Sequence, residues 1–597
     1  MNKRRLKREE ISDLYKWDLS SLYKSREECF KDIKRIGPLL EELNLYKGKV
    51  MSSSFNLVNT LIINEQIERL STNLYVYSNM KYHEDTTNDQ SLILKEEIDK
   101  LLIQIKEKTI FIVLEILKSQ EEVVNKYIKE EEKLKEYSFW FKRMFRKKKH
   151  LLSDQEEEMI AKMGELLEAP SNTHSIILNT DFKFGSINIK GEEVEITNSN
   201  FPVLLQNEDQ AVREEVFKKY YSKYEDFKNT LGSTLKYNIK TTMFISKIRK
   251  YQSPLQMNLD SEDIPIELYN NLIKVVKSNL KPFHHFLAMK KENLGVEDFH
   301  MYDIYASKLE KSKKRFTYEE AKIMIKEALK PLGNEYLKII EQAFQEKWID
   351  VYDNIGKKSG AYSWGTYDSN PYILLNYQGT LNDVSTVIHE LGHSLHRYLS
   401  NQNQPYIYAN FSIFTAEIAS TVNEILLSKY LYATMDDVQE KKVILYELLE
   451  KFRTTLYRQT MFAEFEQILF TKEEKNEILT ESLISEIYYD LNKKYYGEEV
   501  LHDEEIKLEW ARIPHFYRPF YVYQYATGLC AAFIITESIL KEEKGMPTKY
   551  LEFLSSGNSD YSLKLLEKMG IKMTDEKVFS KTIKIFENLL LEYINLK

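Results

Sequence analysis

The spacing of apolar positions along this chain is that of a helical protein. From Asp383 onward, Val384, Val387, Ile388, Leu391, Leu395, Tyr398 and Leu399 fall in one stripe at helical spacing, which predicts an amphipathic helix. His389, His393 and His396 fall on a different side of it. Comparable periodic runs fill residues 1 to about 178, including a charged, coil-like stretch from Glu121 to Glu136, and resume after Phe201-Pro202 as far as Lys347. Two interruptions stand out. Ser186 to Lys190 and Glu193 to Thr197 alternate on either side of Gly191, a β-hairpin signal, so a boundary is expected near residue 200, separating residues 1–200 from 201–597. Between Gly356 and Gly365, glycines and serines predict a flexible loop, and Pro371 to Tyr377 has the content of a short strand running into the His389 helix. An open edge on that strand could pair with an extended peptide, whereas a purely structural hairpin would not. No short fixed period repeats, which argues against a solenoid.

Composition sharpens the class. With 18 glycines and 12 prolines in 597 residues, and Leu, Glu, Lys, Ile and Tyr plentiful, the chain is expected to be mostly α, and its length calls for two or more lobes. The net charge of −8 is spread among interspersed cations and anions, so nucleic acid is not an expected partner. The basic run Lys142 to Lys149, after Phe139-Trp140-Phe141, reads as a solvated face or loop. No apolar leader follows Met1 to Lys7, and the longest apolar stretch, Gly528 to Ile535, suits a buried helix and is too short for a bilayer, so no membrane association is expected. Two cysteines, Cys29 and Cys530, make no disulfide framework or zinc knuckle, and a cytoplasmic location is the expectation.

The candidate chemistry lies in His389-Glu390-Leu391-Gly392-His393. Residues four apart on a helix share a face, so both imidazoles can address one metal ion, with Glu390 beside it as a general base toward water. A catalytic zinc ion takes three protein ligands and leaves a position open, so a third is needed. His396 lies about 10 Å from His389 along the helix, too far to share the ion with both histidines, and is expected to brace a ligand or sit at the surface. Glu417 is the better candidate. Its predicted helix sets Glu417, Ser420, Thr421 and Glu424 on one polar side, from which Glu424 and Ser420 could hold a histidine through its second ring nitrogen.

These residues, together with Gly356 to Ser363, Asn376-Tyr377, Phe414 to Thr421, Leu508 to Pro514, His515 to Tyr525 and the N-terminal Tyr15 to Ser20, resemble oligoendopeptidase F among the thimet-oligopeptidase-like zinc peptidases over nearly the whole chain. The resemblance implies one zinc ion held by His389, His393 and Glu417, with Glu390 as the base. It implies a two-lobed, largely helical, zincin-like fold around a deep channel, a small β element near the site, and residues 201–597 as the catalytic domain. Substrates would be short unfolded peptides.

Tyr517, Tyr521 and Tyr525 recur every four residues, one stripe if helical, and such stripes usually mark core. Phenol O–H groups can also stabilise an oxyanion, as an imidazole can. In the related peptidases a histidine with spaced tyrosines does so, which maps onto His515, Tyr521 and Tyr525; another tyrosine of that pattern falls near Gly528, leaving open how the tyrosines divide the work. The expected reaction is hydrolysis of internal peptide bonds. The alternatives are an exo-acting peptidase that trims dipeptides from a free carboxyl end and a peptide-binding zinc protein without catalysis. Oligomeric state is not legible, and a monomer is compatible.

Overall fold

A computed structural model describes residues 4–309, 314–543 and 545–596. Helices dominate, with two small sheets, in two compact units that are each discontinuous in sequence. The first comprises Met1–Lys149, Lys313–Tyr430 and Ile535–Gly570; the second comprises His150–Ser312, Leu431–Ile534 and Ile571–Lys597. The boundary expected near residue 200 falls inside the second unit, where the Phe201 ring stacks on Tyr220 with centroids 3.7 Å apart.

In the first unit the long helix Ser54–Glu84 packs between Arg26–Asn44 and Asp89–Thr109. Ile36, Leu40, Leu57, Leu61, Leu74 and Ile98 make its core, joined by Tyr372 and Leu374 of a three-stranded sheet. That sheet corrects one expectation. Strand Tyr372–Leu374 is central and fully buried, parallel to Ile349–Asp350 and antiparallel to Tyr362–Trp364. The open edge near the His389 helix belongs instead to Tyr362–Trp364, within the segment expected to be a flexible loop. A continuous apolar run suits a strand covered on both faces, which is what Tyr372-Ile373-Leu374 became.

A buried ionic hub ties the chain's beginning to this sheet. Asp350 accepts from Arg8 at 2.7 Å and pairs with Lys357 at 2.7 Å, and Glu84 accepts from Trp17 Nε1 at 2.7 Å. Although burial opposes its charge, these two cations hold the Asp350 carboxyl below its ordinary range.

The second unit is built on helix Gln210–Ile248, whose Tyr220, Tyr221, Tyr224, Leu231 and Leu235 are buried. The hairpin forms as expected from Ser186–Ile189 and Glu192–Glu195, joined by Lys190 and Gly191 at positive φ of 52° and 92°. The apolar Gly528 to Ile535 stretch lies in helix Tyr523–Leu540 with Ala531, Ala532, Phe533 and Ile535 buried. Among the described residues no helix is long and apolar enough to cross a membrane. In the first unit, Lys142 to Lys149 forms the end of helix Ser138–Lys148, which buries Phe141 and Phe145 while its cations border the Phe139 and Tyr561 rings.

Candidate metal centre and active site

Helix Leu381–Asn403 starts at a capping box, with the Thr380 hydroxyl accepting from the Asp383 N–H at 3.1 Å and the Asp383 carboxylate accepting from the Thr380 N–H at 2.8 Å. Val384, Val387, Ile388, Leu391, Leu395 and Leu399 are buried, as their stripe predicts. On the other side, His389 Nε2 and His393 Nε2 are 3.1 Å apart. Helix Ile413–Thr434 delivers Glu417, whose Oε2 is 3.8 Å from each of those nitrogens.

What lets the second helix come this close is a missing side chain. A Cβ on Gly392 would stand 2.6 Å from Ser420 Cα, 2.8 Å from its nitrogen and 2.9 Å from the Ala419 oxygen, all backbone atoms. Asn423, fully buried, adds a polar tie: its amide donates to the Ile388 carbonyl at 3.2 Å, and its oxygen accepts from Tyr336 OH at 3.0 Å. Glu424 hydrogen-bonds His389 Nδ1. The expectation for Glu424 is met, but Ser420 does otherwise: its hydroxyl donates to the Glu417 backbone oxygen at 3.1 Å and to the Glu417 carboxylate at 3.3 Å. It steadies the carboxylate rather than a histidine.

The protonation pattern fits a cation. Glu424 accepts the His389 Nδ1–H, and His393 donates a ring N–H to the Ala416 carbonyl. Both Nε2 atoms therefore present lone pairs toward each other and toward a carboxylate oxygen. Burial, with the neighbouring His389, lowers His393 to about 4, so it is neutral near pH 7. Three acceptor atoms brought this close repel one another, and a cation between them would relieve that repulsion. Two donors each about 2.1 Å from one ion can be at most about 4.2 Å apart, and the observed 3.1 to 3.8 Å separations satisfy that limit. Two nitrogens and one carboxylate oxygen are a donor set that zinc accepts.

Glu390 is buried beside this group, and its carboxyl is raised above the ordinary value, first by burial and then by the Glu417 charge. It accepts from the Ser363 backbone N–H on the edge strand, and the Ser363 hydroxyl meets Ser394 Oγ at 2.8 Å. His396 departs from expectation. It is neither exposed nor a brace for a ligand but buried, stacked on Phe411 at 3.8 Å, with an unpartnered Nδ1 and a pKa lowered by burial to about 3.

His515, Tyr521 and Tyr525 lie in the second unit and group together there. Tyr525 OH is 3.4 Å from His515 Nε2, and the Tyr521 ring lies 5.4 Å from the Tyr525 ring and 6.2 Å from the His515 ring. Burial, and then the charges of Arg458 and Arg518, lower the pKa of His515. The predicted tyrosine stripe is not helical: the Pro514–Tyr517 turn is followed by a break, Phe520 takes φ of 55°, and the helix begins at Tyr523. Tyr517 is core, stacked on His174 at 4.1 Å and bonded to Thr234 Oγ1 at 2.6 Å. Sequence reasoning missed Glu466, which fixes this break by accepting the Phe520 N–H at 3.0 Å.

A sequence profile described as Peptidase family M3 matches residues 203–585, and one described as Oligopeptidase F matches residues 115–184. The chain belongs to peptidase family M3. Within the family it is 39% identical to Oligopeptidase PepF of Bacillus subtilis over 98% of this chain and 87% of that protein. It is 37% identical to an oligoendopeptidase F homolog of Lactococcus lactis over 98% of both. The crystal structure of oligoendopeptidase-F from Enterococcus faecium superposes with a TM-score of 0.74 at 33% identity, covering 96% of this chain and 99% of that one. The M3 chain is thus a metallopeptidase of the oligoendopeptidase F type, with the mainly helical fold of that group.

Proposed function

We propose that this M3 peptidase is a zinc endopeptidase that cuts internal bonds of short, unstructured peptides. His389, His393 and Glu417 hold the ion, and Glu390 is the general base. The observation that carries this reading is the convergence of His389 Nε2, His393 Nε2 and Glu417 Oε2, 3.1 to 3.8 Å apart, beside the buried Glu390 carboxyl. When bound, zinc supplies Lewis acidity, acidifying water and polarising a carbonyl. Glu390 takes a proton from the attacking water and returns it to the leaving amine. The Ser363 N–H holds its carboxylate in place. His515 and Tyr525, with Tyr521, are the proposed donors to the oxyanion; a neutral imidazole N–H and a phenol can donate without a compensating charge. Strand Tyr362–Trp364 lies at the edge of its sheet, and main-chain groups of that edge other than the Ser363 N–H, which Glu390 engages, would receive an extended peptide with tolerance of its side-chain sequence. Two buried, unpaired cysteines accord with a cytoplasmic setting.

Two measurements test the proposal together: zinc content and cleavage of peptides blocked at both ends. The parent should carry one zinc ion and cut blocked peptides, and Glu390→Gln should keep the zinc and lose nearly all turnover. Intact blocked peptides alongside cleavage of free ones would establish the exo-acting alternative, and binding without cleavage by the zinc-loaded parent would establish the non-catalytic one.

A further inference from the structure

In the second unit two buried carboxylates are each shared by two cations. Lys290 Nζ and the Arg453 guanidinium both address Glu450, at 2.5 and 2.7 Å. Arg458 and Arg512 share one oxygen of Glu509, at 2.6 and 3.3 Å, while its other oxygen accepts from Tyr488 OH at 2.5 Å. Four cations thus lean on two carboxylates. Lys290, Arg453 and Glu509 have side chains no more than 5% exposed, and Arg458, Arg512 and Glu450 are 15%, 14% and 21% exposed, so water screens the group only in part. An uncompensated buried charge costs several kcal/mol, which creates a demand for an anion. Burial, and then the charge of Arg453, lowers Lys290 to about 8, whereas the carboxylates favour the charged form of the arginines.

A cavity lies at the same place. It is lined by Arg453, Arg512, Glu509, Tyr221, Tyr305 and Tyr496 along with apolar side chains, and has about 10 Å³ of space, room for one particle the size of a water molecule. Arg512, one of the lining residues, has a buried Nε with no hydrogen-bond partner. A carboxylate or phosphate ligand is too large for the space. Water would fit, but it brings no charge and has protons of its own to place among donors. We propose that this cavity is a binding site for a single monatomic anion, chloride in solution, which accepts from Arg512 Nε and offsets the charge of Arg453 and Arg512. The anion is not assigned a part in catalysis, although Arg458, which shares Glu509 with Arg512, also acts on His515; its purpose is to stabilise the unit that carries these residues.

The test uses the full zinc-loaded chain in sodium gluconate, with sodium chloride replacing it at constant ionic strength. Expected are a saturable broadening of the ³⁵Cl resonance that bromide displaces, and an unfolding midpoint that rises with chloride as ligand linkage requires. Arg512→Gln should abolish both. Should that variant fail to fold, crystals of the parent grown in bromide give a readout that needs no substitution, an anomalous peak beside Arg512 Nε. A resonance and a midpoint indifferent to chloride, or an ordered water at that position in bromide crystals, would overturn the proposal.

Discussion

Replacing Gly392 by alanine tests whether the metal centre depends on how closely two helices approach. The added methyl would lie 2.6 to 2.9 Å from three backbone atoms of Ala419 and Ser420, where ordinary contact begins near 3.4 Å, and backbone cannot rotate aside. Helix Ile413–Thr434 must therefore back away by about 1 Å, since carbon atoms rest roughly 3.5–4.0 Å apart. Overpacking of this kind costs about 1–3 kcal/mol, of which alanine's better helix propensity returns up to about 1 kcal/mol, so the metal-free protein should lose only modest stability. The donor set is less forgiving. Glu417 sits one turn before Ser420 and moves with it, and its present 3.8 Å separations leave only a few tenths of an ångström before one ion can no longer reach both partners. Because its side chain is 49% exposed, Glu417 can reach part of the way back, so zinc affinity should fall by about tenfold or more without vanishing. Competition against a chelating dye measures the affinity, and thermal unfolding of the metal-free protein measures the stability. Gly528→Ala is the control: nothing lies within 4 Å of its added Cβ, and it should be neutral or slightly stabilising. A Gly392→Ala protein with zinc affinity within twofold of the parent would refute the close-approach argument.

Two further predictions concern the groups that hold the site. Glu424→Ala removes the acceptor on His389 Nδ1 and should weaken zinc about 10- to 100-fold by the same competition assay; unchanged affinity would show that the hydrogen bond does not orient the ligand. Glu466 is pushed up to about 8 by burial, against an ordinary value of 4.5 that its unfolded state should approximate. Between those values the native state holds more protons, so this group makes stability fall as pH rises from about 4.5 to 8, at up to roughly 1.4 kcal/mol per unit. Glu466→Gln, which can still accept the Phe520 N–H, should remove that slope and be the more stable protein at pH 8; parallel pH profiles in chemical denaturation would sink this account.

How much of this was legible in the sequence depended on how local the determinant was. The His389 helix, its buried stripe and the two proposed ligand positions follow from spacing within one element, and Glu417 from a second amphipathic pattern. The contact that unites them was not legible, because Gly392 meets Ser420, and Asn423 meets Tyr336, across long separations that periodicity does not encode. Some signals were present and outweighed. Tyr372-Ile373-Leu374 is apolar without alternation, which suits a central strand, yet the pattern left an open edge and a structural hairpin equally open. Pro519 disfavours helix at the residue before it, and the four-residue tyrosine spacing nevertheless suggested one. His396 shares a helical side with the ligands, and only tertiary packing by Phe411 and Phe553 buries it.

These misses share a cause that bears on the chemistry. A metal site needs donors from more than one element, so its precision rests on interfaces, and here one helix carries the residues that set the interface: Ser420 against Gly392, Asn423 bonded to the Ile388 carbonyl, and Glu424 bonded to His389. Ser420 and Glu424 follow Glu417 at three and seven residues, so the face that presents the carboxylate also fixes its distance and orients a partner ligand. A change at any of these positions should therefore register in metal affinity before it registers in the fold, because the remaining contacts keep the helices packed while the donors lose their common focus. That ordering, affinity before stability, separates an interface that positions a metal from one that merely holds two helices together.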